Sequence, residues 1–275
     1  DHHKFTLGIT QVPFGNLTYN SNSFWFSVNY YLGFEDDYDA GAVYQYKFED
    51  LTLNLGYFFN DEYDNASNFS RYSFDVSDDG IHRNKENGQW NARISKLFTL
   101  NKLGTFDVGL SLQSGEILNL NTHKNEAHHA YAAHFVHQKS NFKTMFQYTK
   151  YEYKPALPDS TNAIAISAFN YPFLIAAEAK STTLSVRYQL PEKVLNFAGL
   201  TCYSEYGVVE SSTEKSAISK QWANGCYFPV DQLIVYIDSI QGKNMWFSGG
   251  SGIAVEPNSS MDWTHRVNIS VGYYF

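Results

Sequence analysis

The chain has 275 residues, 17% of them aromatic, and a mean hydropathy of −0.38. No stretch approaches the roughly 20 consecutive apolar residues that a membrane-spanning helix needs, which excludes a helical membrane protein. The net charge of −8 argues against nucleic acid as a partner, because nucleic-acid-binding surfaces are basic. Many aromatic side chains at low mean hydropathy instead fit a membrane β-barrel, with one face in lipid and the other in water. No leader of basic and apolar residues precedes Asp1, so we expect a mature protein or a fragment.

Apolar and polar residues alternate along most of the chain, which is typical of β-strands with one apolar face. In the first such segment, Phe5, Leu7 and Ile9 alternate with Thr6 and Gly8. In a soluble β-sandwich, the polar face of each strand would be buried in the core without hydrogen-bond partners, which costs folding free energy. The strands predicted from this pattern are 4–13, 39–48, 51–61, 88–99, 104–114, 127–139, 142–154, 181–190, 196–206, 219–228, 231–242 and 264–275.

The first long connection, residues 15–39, is unusually aromatic for a solvated loop. It contains Phe24-Trp25-Phe26, Tyr30-Tyr31 and Phe34. We therefore expect it to fold into the lumen as a constriction loop. The alternative is that residues 22–34 form a thirteenth strand.

Short and long connections alternate from Glu49 to the end of the chain. Such alternation is typical of an outer-membrane barrel, with tight periplasmic turns and long external loops. The prediction is a single all-β domain over residues 1–275, an antiparallel transmembrane β-barrel with about twelve strands. A larger barrel of 14–16 strands, of which this chain is a part, is the alternative. In the final strand, Val267, Ile269, Val271, Tyr273 and Phe275 share one face, and the aromatic end suits a membrane interface.

An acidic cluster follows the aromatic part of the predicted constriction loop: Glu35, Asp36, Asp37 and Asp39. Carboxylates in a constriction attract cations and repel anions, which predicts a mild cation preference. The alternative is a solvated acidic turn. The same carboxylates could bind calcium at the surface, although their spacing matches no calcium loop.

The inward face of the predicted strands also carries charged residues. They are Lys47, Arg93, Asp107, Lys143, Arg187, Asp238 and Arg266. Basic residues opposite acidic ones would create a transverse field in the lumen. The alternative is that they pair with one another to satisfy a polar interior.

Three further features carry competing interpretations. Cys202 and Cys226 lie on neighbouring predicted strands, and a structural disulfide between them is compatible with the sequence but not required by it. The rings of Trp246 and Phe247 are interpreted as loop or interface aromatics and not as a solute-stacking surface. Four histidines within residues 128–137 split between the two strand faces, which argues against a metal site.

The segment that ends in Pro13-Phe14-Gly15, with the long insertion after it and then Asp39-Ala40-Gly41, resembles the Gram-negative porin superfamily that includes the phosphate-selective porin O/P-like proteins. The resemblance covers about the first fifty residues. It implies an inward-folded loop and a homotrimer. The arginine and lysine ladder of a phosphate-selective channel is absent, so phosphate selectivity is not carried over.

An enzyme is the first competing function. Outer-membrane phospholipase A is a twelve-stranded barrel with a His-x-Ser motif, and His137 is followed by Ser140 and Asn141 here. The serine stands three positions after the histidine here. A nucleophile needs its base within hydrogen-bond reach, and this spacing does not ensure that contact, so the sequence argues against the enzyme.

The function expected from the sequence is a passive porin of the bacterial outer membrane, without a cofactor and not an enzyme. Its expected partners are outer-membrane lipid and lipopolysaccharide, small hydrophilic solutes or ions, and two further copies of itself. A closed barrel that presents its external loops, structural or adhesive in role, is the other alternative.

Overall fold

The computed structural model describes residues 2–154, 162–191, 199–214, 217–257 and 262–273. Within these ranges, no helix has the length and apolarity that a membrane crossing requires. The chain forms strands joined by turns and loops, with short 3₁₀ turns at Tyr30–Leu32 and Trp246–Ser248.

The strands of the described residues follow one another in chain order. They are β1 (His3–Gln11), β2 (Tyr38–Phe48), β3 (Leu51–Asn60), β4 (Asp75–Val76), β5 (Asn84–Leu100), β6 (Gly104–Asn119), β7 (Lys124–Lys139), β8 (Phe142–Tyr153), β9 (Ala163–Ala168), β10 (Tyr171–Ala176), β11 (Glu178–Gln189), β12 (Thr201–Ser211), β13 (Ile218–Val230), β14 (Leu233–Lys243), β15 (Gly252–Ile253) and β16 (Thr264–Tyr273).

Twelve of these strands form one large antiparallel sheet, in the order β1-β2-β3-β5-β6-β7-β8-β11-β12-β13-β14-β16. These are the twelve predicted strands, so the prediction of an antiparallel all-β fold is confirmed. No register joins β1 to β16 among the described residues. In lipid, such edges need partners, either each other or further strands, because no water is present to bind their backbone groups.

Several strand boundaries differ from the prediction. β5, β6 and β7 extend beyond their predicted ends on the external side of the sheet. There, Asn84 of β5 pairs with Asn119 of β6, and Asn119 pairs with Lys124 of β7. In the β6 extension the apolar residues Ile117 and Leu118 are adjacent, and the β5 and β7 extensions are mostly polar, so no alternation marks these residues. β12 begins at Thr201, whereas 196 was predicted. Parts of the predicted turn at 191–195, of this strand's start and of the C-terminal strand (274–275) lie outside the described residues. The alternative strand at 22–34 is wrong, because this segment forms bends, turns and a 3₁₀ turn.

Among the described residues, tight turns at predicted positions connect β2 to β3, β7 to β8 and β13 to β14 at one end of the sheet. Glu49, Ser140 and Asp231 have φ values of 50°, 50° and 53°. This left-handed conformation is what the favoured two-residue hairpin turns require, because its twist matches that of the flanking strands.

The two faces of the large sheet differ as in a membrane barrel. On β6, Val108, Leu110 and Leu112 point outward and are 46–60% exposed, whereas Ser111 and Gln113 point inward and are 2% and 5% exposed. Large apolar side chains on the outside and small polar ones on the inside reverse the arrangement of a soluble protein. The outward apolar residues form a lipid-facing belt.

A second sheet, which the sequence did not predict, forms from the external loops. Its order is β15-β10-β9-β4, so it joins the loops after β3, β8 and β14. β9 and β10 form a hairpin whose turn residues, Phe169 and Asn170, have φ values of 50° and 64°. We call this the external sheet.

The apolar core lies inside the large sheet and not between two layers. The segment between β1 and β2, residues 12–37, supplies Phe14, Leu32 and Phe34 to this core, each at most 3% exposed. Ile166 of β9 and Ile253 of β15 belong to the same cluster. The core therefore joins the inward-folded segment to the external sheet.

Candidate functional site

The segment 12–37, which we call the lumen loop, is bonded to the inner face of the large sheet. At its start, the Gly15 N–H donates to Ser111 Oγ at 3.0 Å, and Arg93 Nε donates to the Gly15 carbonyl at 2.8 Å. The Asn16 N–H donates to Gln147 Oε1 at 2.9 Å. Gly15 has φ +62°, a conformation that glycine adopts without strain, and a Cβ there would displace the Gln147 side-chain amide that binds the Asn16 N–H.

The middle of the lumen loop reaches strands on the far side of the sheet. Asn20 Nδ2 donates to Thr183 Oγ1 at 2.6 Å, and Gln221 Nε2 donates to the Phe26 carbonyl at 2.8 Å. The buried Glu205 carboxylate accepts the backbone N–H groups of Asn22 and Ser23. Side chains of β5, β6, β8, β11, β12 and β13 thus hold the loop inside the sheet. The predicted inward fold of this segment is confirmed.

Two of the four predicted acidic residues organise the lumen loop itself. Glu35 accepts hydrogen bonds from Ser21 Oγ and Ser27 Oγ, both at 2.5 Å, and from the Asn20 N–H at 3.0 Å. Burial raises the pKa of the Glu35 carboxyl to about 7, although the serine hydroxyl groups oppose the shift. Asp36 accepts from the Tyr72 hydroxyl at 2.5 Å. The cluster is therefore buried in the fold and is not a solvated turn.

The other two acidic residues meet a third carboxyl group from the external sheet. Asp37 ends the lumen loop, Asp39 lies in β2 and Asp75 lies in β4. Each offers a carboxylate oxygen, and the three oxygens lie within 4.8 Å of one another. Asp75 was not among the predicted site residues, because its sequence neighbourhood lacks a recognisable motif. Among the described residues, this is the group of acidic, histidine or cysteine side chains whose ligand atoms lie close enough together to share one metal ion.

The seven charged residues predicted on the inward face, which we call the wall residues, occupy inward positions of the strands but do not converge on one point. Arg93 is bonded to the lumen loop, and Arg187 Nη1 donates to the Tyr227 hydroxyl at 3.3 Å. Asp238 accepts from the Tyr203 hydroxyl. Lys143 lies opposite Arg187 in the β8–β11 register.

The remaining wall residues are Lys47, which is exposed near the β2–β3 turn, Asp107, whose Oδ1 is buried without a hydrogen-bond partner, and Arg266. None of the seven wall residues forms an ion pair with another within the described part of the chain. The alternative, in which these residues pair with one another, is thus not seen among the described residues, and the transverse field stays a prediction.

A cleft of about 870 Å³ lies between the lumen loop and the inner faces of β14 and β16. We call it the aromatic cleft. Its lining includes Trp25, Tyr31, Tyr236, Trp246, Phe247 and Arg266. Trp246 and Phe247 lie in the loop between β14 and β15, which agrees with their interpretation as loop or interface aromatics, and both also line this cleft. The sequence did not show this because the rings come from four distant segments, within residues 19–31, 72–74, 169–171 and 236–247.

Arg266 is the charged residue of the aromatic cleft lining. Its guanidinium carbon lies 5.1 Å from the centre of the Trp25 ring and 5.4 Å from that of Phe247. Both distances suit a cation–π interaction. Trp25 and Phe247 meet edge to face at an interplanar angle of 86°, and the guanidinium lies close to both rings at the lining of the cleft.

The phospholipase-like motif is not assembled. His137 Nε2 lies 2.8 Å from the Leu103 carbonyl, and its ring stacks on Phe106 with centroids 4.4 Å apart. Within the described part of the chain, no hydrogen bond joins His137 to Ser140. The histidine cluster also divides as predicted, since His128 and His134 are buried inward.

Cys202 and Cys226 are direct partners in the β12–β13 register, and their sulfur atoms lie 2.07 Å apart. They therefore form a disulfide. The sequence was compatible with a disulfide but did not require one. The β12–β13 register places the two cysteines directly opposite each other, which allows the bond to form.

No protein-family model matches the chain, and no curated protein sequence matches it. The chain is, however, similar in structure to solved proteins. The outer-membrane expressed OmpT of Vibrio cholerae has a TM-score of 0.53 at 14% identity, over 100% of this chain and 78% of that chain. Its in-vitro folded trimer form has a TM-score of 0.51 at 14% identity, with the same coverage. The outer membrane channel DcaP of Acinetobacter baumannii has a TM-score of 0.51 at 11% identity, over 98% of this chain and 68% of that chain.

These likenesses show the fold. The sheet order and the lipid-facing belt agree with them, because an outward row of exposed apolar side chains needs a membrane. The chain is an outer-membrane β-barrel protein, integral to a bacterial outer membrane.

Proposed function

We propose that this chain forms a passive, water-filled channel through the outer membrane for small hydrophilic solutes or ions, narrowed by its lumen loop. The observation that carries the proposal is the attachment of the lumen loop to the inner faces of six strands. A loop held in this way narrows the passage without depending on a second protein. The likeness to a protein described as an outer membrane channel supports the same conclusion.

The aromatic cleft is the section of this passage where a solute would meet the protein. Its rings offer apolar faces for stacking, and Arg266 offers a fixed positive charge. We propose that solutes pass between the lumen loop and the wall formed by β14 and β16. Glu35 and Asp36 act there through the loop conformation that they stabilise.

We further propose a mild cation preference, which the net charge of −8 supports through the field of the whole protein. Arg266 acts against this preference, because it is the charge nearest to the proposed passage. The balance between the net negative charge of the protein and the positive charge of Arg266 sets the reversal potential.

We propose that the chain is not an enzyme, which is supported by the absence of a hydrogen bond between His137 and Ser140 in the described part of the chain. We also propose that it works without a cofactor. A homotrimer, embedded in lipid and lipopolysaccharide through the lipid-facing belt, is the proposed assembly. A solved protein of similar fold is described in a trimer form, which supports this proposal. Light scattering of the detergent complex would measure the number of copies.

The test of the channel is single-channel conductance of folded protein in a planar bilayer under a salt gradient. Discrete open steps support a pore, and the reversal potential measures the ion preference. Folded protein that gives no steps contradicts the channel.

A closed barrel that presents its loops is the second candidate, and the external sheet favours it. Its strands pack on the lumen loop through one apolar core, which blocks part of the lumen. In that case folded wild-type protein gives no open steps in the bilayer.

A further inference from the structure

Three buried carboxyl groups meet where the lumen loop joins β2. Asp37, Asp39 and Asp75 are only 7%, 1% and 3% exposed. An oxygen of each lies within 4.8 Å of the other two. Like charges this close repel strongly away from water, so the arrangement needs a compensating partner.

Two oxygen atoms in this group have no hydrogen-bond partner. Both Asp37 Oδ1 and Asp39 Oδ1 are buried and unbonded. An unsatisfied buried polar atom costs free energy, and such atoms are rare in folded proteins. A cation bound within this group of carboxyl groups would supply a partner that the protein itself does not provide.

The surrounding charges leave an excess of negative charge. Arg71 Nη1 lies 2.6 Å from Asp61 Oδ2 and 3.4 Å from Asp75 Oδ2, so one guanidinium serves two carboxylates. Glu86 lies nearby and accepts the Val76 N–H at 3.3 Å. Five carboxyl groups thus face one arginine, and a divalent cation would bring the group closer to neutrality.

The spacing suits calcium. Oxygen ligands lie about 2.3–2.6 Å from a Ca²⁺ ion, so two ligands on opposite sides of it are up to roughly 5 Å apart. We propose that Asp37, Asp39 and Asp75 bind a calcium ion. This inference goes beyond the channel function and does not depend on it.

The ion would join three segments that are distant in sequence. Asp37 belongs to the lumen loop, Asp39 to the wall strand β2 and Asp75 to the external sheet. The Tyr38 N–H already donates to Ser73 Oγ at 3.1 Å, which brings the external loop to this point. Calcium therefore fastens the lumen loop to the external sheet.

The experiment uses the full chain folded in detergent and treated with EDTA. Calcium chloride is titrated while the heat of binding and the midpoint of thermal unfolding are measured. The midpoint rises with calcium concentration, because a ligand that binds only the native state stabilises it. The dissociation constant expected for such an external site is about 10⁻⁴ to 10⁻³ M.

Asp39→Asn tests the assignment, and Asp231→Asn, in an exposed turn, is the matched control. Asp39→Asn weakens calcium binding at least about tenfold, since even changes behind the ligands have effects of that size. The control keeps the calcium-dependent shift. If the carboxyl groups instead share protons, Asp39→Asn raises the midpoint in EDTA and calcium shifts neither protein, which overturns the proposal. None of these measurements uses conductance, so a silent bilayer leaves them unaffected.

Discussion

At the scale of single residues, the lumen loop depends on close contacts that only small side chains permit. Gly207 of β12 is such a contact, because a Cβ there would lie 2.7 Å from Cγ2 of Val28. Val28 is fully buried, so it has little room to move. The absence of a side chain at Gly207 therefore creates the space that the lumen loop occupies.

Gly207→Ala should displace Val28 and destabilise the protein by about 1–3 kcal/mol, as overpacking does. The thermal unfolding midpoint measures the effect. The double variant with Val28→Ala should recover most of the loss, because the smaller side chain restores the space. Failure of this rescue would mean that the contact does not limit the packing.

Glu35 makes the stability of the lumen loop depend on pH. Its pKa of about 7 in the folded protein lies above the ordinary value of 4.5, so the folded state favours the protonated form. Its contribution is full below the unfolded pKa and decreases as pH rises from about 4.5 to 7. Wild type should therefore lose more stability than Glu35→Gln between about pH 5 and pH 8. Equal pH profiles of the two proteins would contradict this.

Arg266 should influence ion selectivity because its charge faces the aromatic cleft. Arg266→Gln removes the charge while it keeps a long polar side chain. The reversal potential should shift toward cations, since a fixed positive charge in a passage repels them. Lys102→Gln, at an exposed turn, is the control and should leave the potential unchanged.

At the scale of elements, one covalent bond reinforces the sheet. The disulfide joins β12 to β13, and its cysteines are 24 residues apart. Closing a loop of this length restricts the unfolded chain by about 3 kcal/mol in the entropic model. The two strands also pair along their length, so the bond adds to a contact that exists without it.

Replacing both cysteines with serine should lower the free energy of unfolding by about 3 kcal/mol and leave the barrel folded. Denaturant unfolding with and without reductant measures this. Wild type should respond to the reductant, whereas the double variant should not. A double variant that unfolds in detergent would show that the strand pairing is too weak alone.

The pattern of elements also shows how far local sequence reaches. Alternation predicted the twelve wall strands because each has one face in lipid, and that environment acts on every second residue. It missed the external sheet, since Ala163–Ala168 is buried on both faces and shows no alternation. The hairpin of β9 and β10 is held by loops that lie far away in the chain.

At the scale of the whole molecule, the lipid-facing belt defines where the membrane lies. Leu110 on β6 is 60% exposed within the belt, and Ile81 is 76% exposed in an external loop. Exposure alone does not distinguish the two residues. Their positions do, because only the first faces hydrocarbon.

Leu110→Arg should therefore destabilise the protein in lipid by about 2–4 kcal/mol, the cost of arginine near the bilayer midplane. Ile81→Arg should have little effect. Unfolding in phospholipid bilayers by guanidinium measures both variants. Equal effects would contradict the assigned position of the membrane.

The candidate site was only partly predictable from the sequence. The aromatic composition of residues 15–39 indicated an inward loop, because so many rings are costly in water. The acidic residues were identified, but their partners were not. Ser21 and Ser27 bind Glu35, and Asp75 joins Asp37 and Asp39 from the external sheet. None of these pairings follows from spacing along the chain.

The sequence by itself determined the fold class, the twelve strands, their faces and the membrane environment. These depend on a period of two, which each strand carries within its own residues. The tertiary structure alone decided the external sheet, the aromatic cleft, the disulfide and the carboxyl cluster. Each of them depends on the register between strands or on contacts between distant loops, and packing of the whole chain sets those contacts.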